Sequence, residues 1–313
     1  MSRSFVKMHG LGNDYVFLDG RDGSIPDRSI VRAVSDRRRG VGSDGVIVLQ
    51  RPSNPENDAR MIVFNADGSD GGVCGNGLRC LAAWLVGDGL IEHDSPRIEV
   101  GDGVVPSKLD ALAESGDVLV SIELPPPRLT CAEIPARLPG VDDAAHVIGR
   151  PIGPGSGEAV PGVPLGRDAS LTLVSTGNPH AVIWLGETPT ELESLGDLVR
   201  SIGPVIERHA WFPARINVHV CCGTLRDRLR VATWERGSGP TRACGTGAAA
   251  VLVAAVLREG GWPVDRCEAW TPVQLPGGIL ENSWAGRPES PIRQRGPVTE
   301  VFRGSFDDSH GRF

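Results

Sequence analysis

Residues 64–86 read FNADGSDGGVCGNGLRCLAAWLV, and residues 234–257 read WERGSGPTRACGTGAAAVLVAAVL. Each stretch runs from an aromatic residue through a polar pair and a glycine-rich turn to Cys-Gly-x-Gly, then into an apolar segment. Cys74 and Cys244 stand about half the chain apart. A repeat at that spacing implies two similar domains, because solenoid repeats are only about 20–50 residues long. Upstream of each turn, residues 60–64 and 229–234 are rich in β-branched and aromatic side chains and read as strands. Downstream, residues 78–86 and 248–257 are rich in Ala and Leu and read as buried helices. Val251, Val253 and Val256 weaken that helix reading only slightly, because burial overrides propensity. Both cysteines therefore sit at a loop-to-helix junction.

The rest of the chain agrees with this outline. Its 313 residues suit two modest domains at about 150 residues each. A 40% hydrophobic content with 41 Gly and 25 Pro indicates a globular chain of many turns and short elements, α/β (α+β) rather than a helix bundle. The net charge of -7 gives no basis for nucleic acid or an anionic membrane as partner. The first ten residues lack the apolar core of a signal peptide, and the longest apolar run, 248–257, is too short to span a bilayer. Seven cysteines, an odd number, are not arranged as a small disulfide scaffold, so a cytoplasmic location with reduced thiols is expected. The three prolines 125–127 mark a linker. Residues 149–166 read as an exposed Gly/Pro-rich loop, and 297–302 as a final strand whose sheet composition does not identify. The expected domains are 1–126 plus about 296–313, and 127–295.

A cysteine at a helix start feels unsatisfied N–H groups and the positive end of the helix dipole, which favours thiolate. The glycines that follow let backbone amides approach an anion such as a carboxylate. One such element is either an anion site or a nucleophile. Two, at matching places in two halves, allow inversion of a carbon that bears hydrogen. One thiolate removes the proton from one face, and the other thiol delivers a proton to the opposite face. Two helix N-termini would stabilise the charge that develops on the carboxylate, and an unperturbed thiol pKa of about 8.5 needs only modest tuning. A pyridoxal phosphate route needs a Schiff-base lysine; the chain has only Lys7 and Lys108, neither in a recognisable cofactor-binding context.

With these elements in place, the sequence resembles the diaminopimelate epimerase family over most of its length. The resemblance rests on an ordered set: 8–15 (MHGLGNDY), 40–44 (GVGSD), 64–69 (FNADGS) with 74–77 (CGNG), 175–180 (STGNPH), 215–217 (RIN), 235–239 (ERGSG), 244–247 (CGTG) and 275–278 (LPGG). It implies two pseudo-symmetric domains, each a mostly antiparallel or mixed sheet wrapped around a central helix, with the active site in the interdomain cleft. It implies epimerisation of LL-2,6-diaminoheptanedioate to the meso form, towards lysine and peptidoglycan, without metal or pyridoxal phosphate and by a homodimer. Cys74 and Cys244 match the acid/base cysteines. Asn13, Asn65, Asn178 and Asn217 match asparagines that hold the substrate, and Glu235 and Arg236 match a pair for its ammonium and distal carboxylate. Gly75, Asn76, Gly245 and Thr246 match the backbone cradle around the reacting carboxylate. Three departures stand out: Gly45 where members often carry Gln, Tyr15 where Phe is more usual, and extra length near 131–170 and at the C-terminus.

Local readings compete with these roles. Cys74 and Cys244 alone are equally two buried thiols that precede helices. Cys80 is a helix-core thiol or one arm of a metal pair. Cys221 and Cys222 lie in a strand and face opposite ways, and Cys131 and Cys267 carry no functional reading. His180 contacts substrate or fixes its loop; His9 and His219 read as structural. Asn65 alone is a turn residue, and Glu235-Arg236 alone a salt-bridged strand end. Arg37-Arg38-Arg39 is a solvated face or shapes the field of the site, and Asp67 and Asp70 serve turns. The competing functions are a proline-racemase-like enzyme and a non-catalytic thiol or metal-binding module.

Overall fold

The computed structural model describes residues 2–72, 74–101, 103–112, 117–155, 165–186, 191–261 and 269–307; Cys267 and positions 156–164 of the Gly/Pro-rich stretch lie outside them. The chain divides into two units, Met1–Glu123 with Arg295–Phe313, and Leu124–Gln294. The first contains β1 (Ser2–Gly10), β2 (Asn13–Asp19), α1 (Arg28–Ser35), β3 (Gly45–Gln50), β4 (Ala59–Asn65), α2 (Gly75–Gly87), β5 (Arg97–Val100), β6 (Gly103–Leu112) and β7 (Val118–Leu124). The second contains β8 (Arg150–Pro151), β9 (Ser170–Ser175), β10 (Pro179–Trp184), α3 (Leu192–Glu207), β11 (Asn217–Gly223), β12 (Leu229–Glu235), β13 (Gly239–Thr241), α4 (Gly245–Arg258), β14 (Thr271–Leu275) and β15 (Gly278–Trp284). The last strand, β16 (Ile292–Asp307), includes the stretch 297–302 and pairs antiparallel with β1, from Ser2 opposite Asp307 to His9 opposite Thr299.

The same ladder recurs in both units. In the first, β1–β2 is antiparallel, β2–β3 parallel, β3–β4 antiparallel, β4–β5 parallel and β5–β6 antiparallel. In the second, β9–β10, β10–β11, β11–β12, β12–β14 and β14–β15 repeat those directions in the same order. One helix follows the second strand of each series and another the fourth. The half-chain echo in the sequence is thus a repeat of topology, in a mixed α+β fold.

Each sheet is covered on both faces, which is why its strands read as nearly continuous apolar runs. Val16 and Leu18 of β2 and Val46 and Val48 of β3 cluster with Val31 and Val34 of α1. Phe17 points the other way and meets Trp84 of α2 edge-on, with ring centroids 6.1 Å apart. In the second unit Val218, Val220 and Cys222 of β11 cluster with Leu195, Val199, Ile202 and Ile206, the apolar stripe of α3. The helices that follow the cysteines are of another kind. α2 is buried from Asn76 to Leu85 and α4 from Gly247 to Val256, with no solvated face. α4 packs on β9, β10, β11, β12, β14 and β15. Its valines are tolerated because burial of apolar surface outweighs their small propensity cost.

Candidate active site

Cys74 and Cys244 are the N-caps of these two helices. Each has extended backbone, and each sulfur accepts the N–H of the third residue on, Gly77 at 3.4 Å and Gly247 at 3.3 Å. A side chain in the Ser/Asn position of a cap satisfies an orphan N–H in this way. The second glycine of each Cys-Gly-x-Gly has a reason the sequence did not disclose. A Cβ on Gly77 would lie 2.3 Å from Ile47 Cδ1, and one on Gly247 2.2 Å from His219 Cε1. Ile47 and His219 are the third residues of the equivalent strands β3 and β11. These glycines admit the sheet against the helix start.

In the first unit the Cys74 thiol donates to Asn13 Oδ1 at 3.6 Å, and Asn76 Nδ2 donates to the same oxygen at 3.1 Å. Asn13 Nδ2 donates to Asp44 Oδ2 at 2.7 Å. Arg37 bridges Asp44 (2.7 Å) and Asp14 (2.6 Å), and Lys7 pairs with Asp14 at 2.8 Å. Burial opposes ionisation of Asp14, but hydrogen bonds from Arg37 and Lys7 outweigh it and hold the carboxyl below its usual range. The Tyr15 hydroxyl faces the Cys74 sulfur and favours its ionised form. Burial pushes the Cys74 thiol up; Tyr15, the Gly77 N–H, Arg79 and the Asn76 N–H pull the other way without cancelling it. Desolvation thus opposes the thiolate that the helix start favours at Cys74. Asn65, at the exposed end of β4, spends Nδ2 on Ser69 Oγ and the Asp70 carbonyl within its own turn.

In the second unit Cys244 lies 3.7 Å from Thr246 Oγ1 and beside the Glu235 carboxyl. Burial raises the Glu235 carboxyl above its usual range, and the neighbouring Thr241 and Cys244 offset part of the rise. Asn217 is buried and both ends of its amide serve backbone, Nδ2 on the Pro179 carbonyl at 2.8 Å and Oδ1 receiving the Arg236 N–H at 2.9 Å. Arg236 is exposed, and its Nη1 donates to the Ala214 carbonyl. Gln294 Nε2 and Thr176 Oγ1 donate to the carbonyls of Gly245 and Thr246.

His180 is fully buried. Its Nε2 reaches Asn178 Oδ1 at 2.8 Å, its Nδ1 reaches His219 Nε2 at 2.8 Å, and His219 Nδ1 reaches Thr233 Oγ1 at 3.0 Å. Desolvation depresses both imidazoles, His219 to about 3. With both neutral, one assignment satisfies every contact: Thr233 donates to His219, His219 to His180, and His180 to Asn178. The His180 side chain is thus engaged by Asn178 and His219, and Asn178 Nδ2 is turned away from it.

The site residues occupy matching strand ends. Asn13 opens β2 and Asn178 immediately precedes β10, Asn65 and Glu235 end β4 and β12, and Gly45 and Asn217 open β3 and β11. The sequence reading missed Asp44, Glu207 and the role of Arg37. Glu207 is 2% exposed; it receives the Trp234 indole N–H at 2.8 Å and the Gly237 N–H at 3.1 Å, framing Glu235-Arg236. Cys80, Cys131, Cys221 and Cys222 are buried packing thiols, Cys80 pushed up to about 12 by desolvation. Among the described residues, no helix is long and apolar enough to cross a membrane, and no group of three or more His, Cys, Asp or Glu is placed to hold a metal.

Solved structures with this fold include a phenazine biosynthesis protein of the PhzF family from Bacillus anthracis (TM-score 0.65, 15% identical, covering 98% of this chain and 99% of that one). A hydroxyproline epimerase from Agrobacterium vitis gives a TM-score of 0.64 at 17% identity, covering 100% and 94%. The chain is thus of the PhzF and proline racemase-like fold class, with a helix-capping cysteine in each unit. A diaminopimelate epimerase family profile matches residues 5–122 and 172–301. Diaminopimelate epimerases of Desulforudis audaxviator and Synechococcus sp. are 39% and 41% identical, each over 96% of this chain and over 98% and 97% of their own length. The chain belongs to the diaminopimelate epimerase family.

Proposed function

We propose that this chain interconverts LL- and meso-2,6-diaminoheptanedioate through Cys74 and Cys244, a step towards lysine and peptidoglycan precursors. The observation that carries the reading is the duplicated thiol cap: the same ladder, in each unit, leads to a cysteine whose sulfur accepts the N–H three residues on. In the reaction one thiolate takes the α-proton and becomes a thiol, while the electron pair of the broken C–H bond passes into the carboxylate. The other thiol gives its proton to the opposite face and becomes a thiolate. No net oxidation or reduction occurs, and the reverse reaction exchanges the roles.

The N–H groups of Gly75, Asn76, Gly245 and Thr246, which lack intrahelical acceptors by their position, stabilise that carboxylate as charge builds. Asn178 Nδ2 and the Arg236 guanidinium are donors for carboxylates of the substrate; Asn65 Oδ1 and Glu235 are acceptors for its ammonium groups. The chemistry asks for neither metal nor pyridoxal phosphate, and the enzyme is expected to work as a cytoplasmic homodimer. The test is incubation with LL-diaminopimelate in deuterium oxide, where solvent deuterium enters the α-position as meso product forms. Cys74→Ala and Cys244→Ala each abolish epimerisation while remaining folded; wild-type turnover by either variant, or no exchange by reduced folded enzyme, overturns the reading.

A further inference from the structure

An asparagine amide has two ends of similar shape, and only its partners tell them apart. For Asn13 both ends are identified by ionised groups of fixed polarity. A carboxylate only accepts, so the atom 2.7 Å from Asp44 Oδ2 is Nδ2. A guanidinium only donates, so the Asn76 atom facing Arg79 is Oδ1, and Asn76 Nδ2 is the group 3.1 Å from Asn13. The oxygen of Asn13 is thereby directed at Asn76 and at the Cys74 sulfur 3.6 Å away.

Asp44 is held in turn. Its Oδ1 accepts from Arg37 Nη2 at 2.7 Å, and its Oδ2 accepts the Asp14 backbone N–H at 3.1 Å. Arg37 also grips both oxygens of the buried Asp14, at 2.6 and 3.1 Å, and Lys7 closes the far side of Asp14 at 2.8 Å. We propose that Asp44, clamped by Arg37, locks the Asn13 amide with its oxygen on the Cys74 sulfur, so that Asn13 is a positioning residue that keeps Cys74 in its thiol form.

A thiol gains an acceptor from this arrangement, whereas a thiolate faces the negative end of a carbonyl dipole. The other titratable or charged groups facing Cys74 are the Tyr15 phenol from β2 and Arg79 and the Cys80 thiol from α2. Tyr15 and Arg79 favour thiolate, so Asn13 and Tyr15, two residues apart on one strand, act in opposite senses. The clamp gives Arg37 of the basic run a role, and it accounts for an asparagine whose amide is spent on the protein. It rests on the two-thiol reading only for its purpose, which is to bring Cys74 into the cycle as proton donor.

The test needs no substrate, so its outcome is separate from that of the epimerase reading. The alkylation rate of Cys74 by iodoacetamide, followed on its peptide by mass spectrometry, is measured against pH in the full chain. Asn13→Ala lowers the midpoint by about half a pH unit, the worth of one weak hydrogen bond. Asp44→Ala lowers it too, but adds nothing in the Asn13→Ala background. Arg37→Ala, at a half-exposed position that tolerates truncation should Asp44→Ala fail to fold, also lowers the midpoint, although loss of a positive charge alone would raise it. An unchanged or raised midpoint in Asn13→Ala, an equal Asp44→Ala shift in both backgrounds, or a raised midpoint in Arg37→Ala overturns the proposal.

Discussion

Tyr15 and Gly45 are register partners on β2 and β3, and a Cβ on Gly45 would stand 3.2 Å from Tyr15 Cε1 and 2.1 Å from the Phe64 carbonyl oxygen. The position where family members often carry Gln has no room here for any side chain. The obstruction is backbone from β4, which pairs with β3 on its other side. Gly45→Ala therefore costs about 1–3 kcal/mol through overpacking, seen as a lower melting temperature, and Gly45→Gln costs more. Adding Tyr15→Phe restores nothing, because Phe64 O stays where it is. A melting temperature equal to wild type in Gly45→Ala would show that the strands part without cost.

Tyr15→Phe removes the hydroxyl that steadies the Cys74 thiolate. The thiol then titrates higher, and the alkylation midpoint of Cys74 moves to higher pH, opposite to the Asn13→Ala shift. The acid limb of the epimerisation profile moves the same way. A midpoint that stays in place would remove Tyr15 from the thiol's environment.

The His180–His219 pair makes stability depend on acid. Unfolded, each imidazole titrates near its ordinary value of about 6.5; folded, His219 is depressed to about 3 and His180 is depressed also. The unfolded chain therefore binds more protons in this window. The stability from burying neutral rings is complete above about pH 6.5 and is lost as pH falls towards the folded values. Melting temperatures measured from pH 7.5 to 5 should fall, and His219→Gln, which keeps a donor for His180 but does not titrate, should flatten the fall. A parallel curve for the variant would place the acid sensitivity elsewhere.

Glu207→Gln replaces one acceptor oxygen by a donor facing an N–H of Trp234 or Gly237. An unmet buried hydrogen bond of this kind costs about 1–3 kcal/mol. The turn that carries Arg236 loosens with it, so KM for diaminopimelate rises while kcat changes less, the pattern of lost uniform binding. Arg236→Lys, which loses the planar fork, raises KM in the same way with an unchanged melting temperature. If Glu207→Gln lowered kcat alone, its effect would lie in the chemical step rather than in holding the turn.

The readable parts of the fold were those written within a few residues. The reading of 60–64 and 229–234 as strands and of 78–86 and 248–257 as helices corresponds to β4, β12, α2 and α4, which extend one turn further, back to the cysteines. A cap joins a side chain to the N–H three residues on, so Cys-Gly-x-Gly placed both thiols at helix starts without any distant partner. What escaped was what depends on residues far apart in the chain. Asp44 lies 31 positions from Asn13, and nothing near either one announces the pairing. Ile47 and His219 explain the second glycine of each motif only once β3 and β11 lie against their helices.

The sequence by itself determined the duplicated strand–turn–cysteine–helix unit and the family, because periodicity, capping and motif order are local and additive along the chain. Only the tertiary structure decided which way each polar side chain is spent. It turned Asn13 onto Cys74, His180 onto Asn178 and Glu207 onto the Arg236 turn, and it filled the Gly45 position with backbone. A hydrogen bond needs distance and direction between groups that the sequence leaves tens of residues apart.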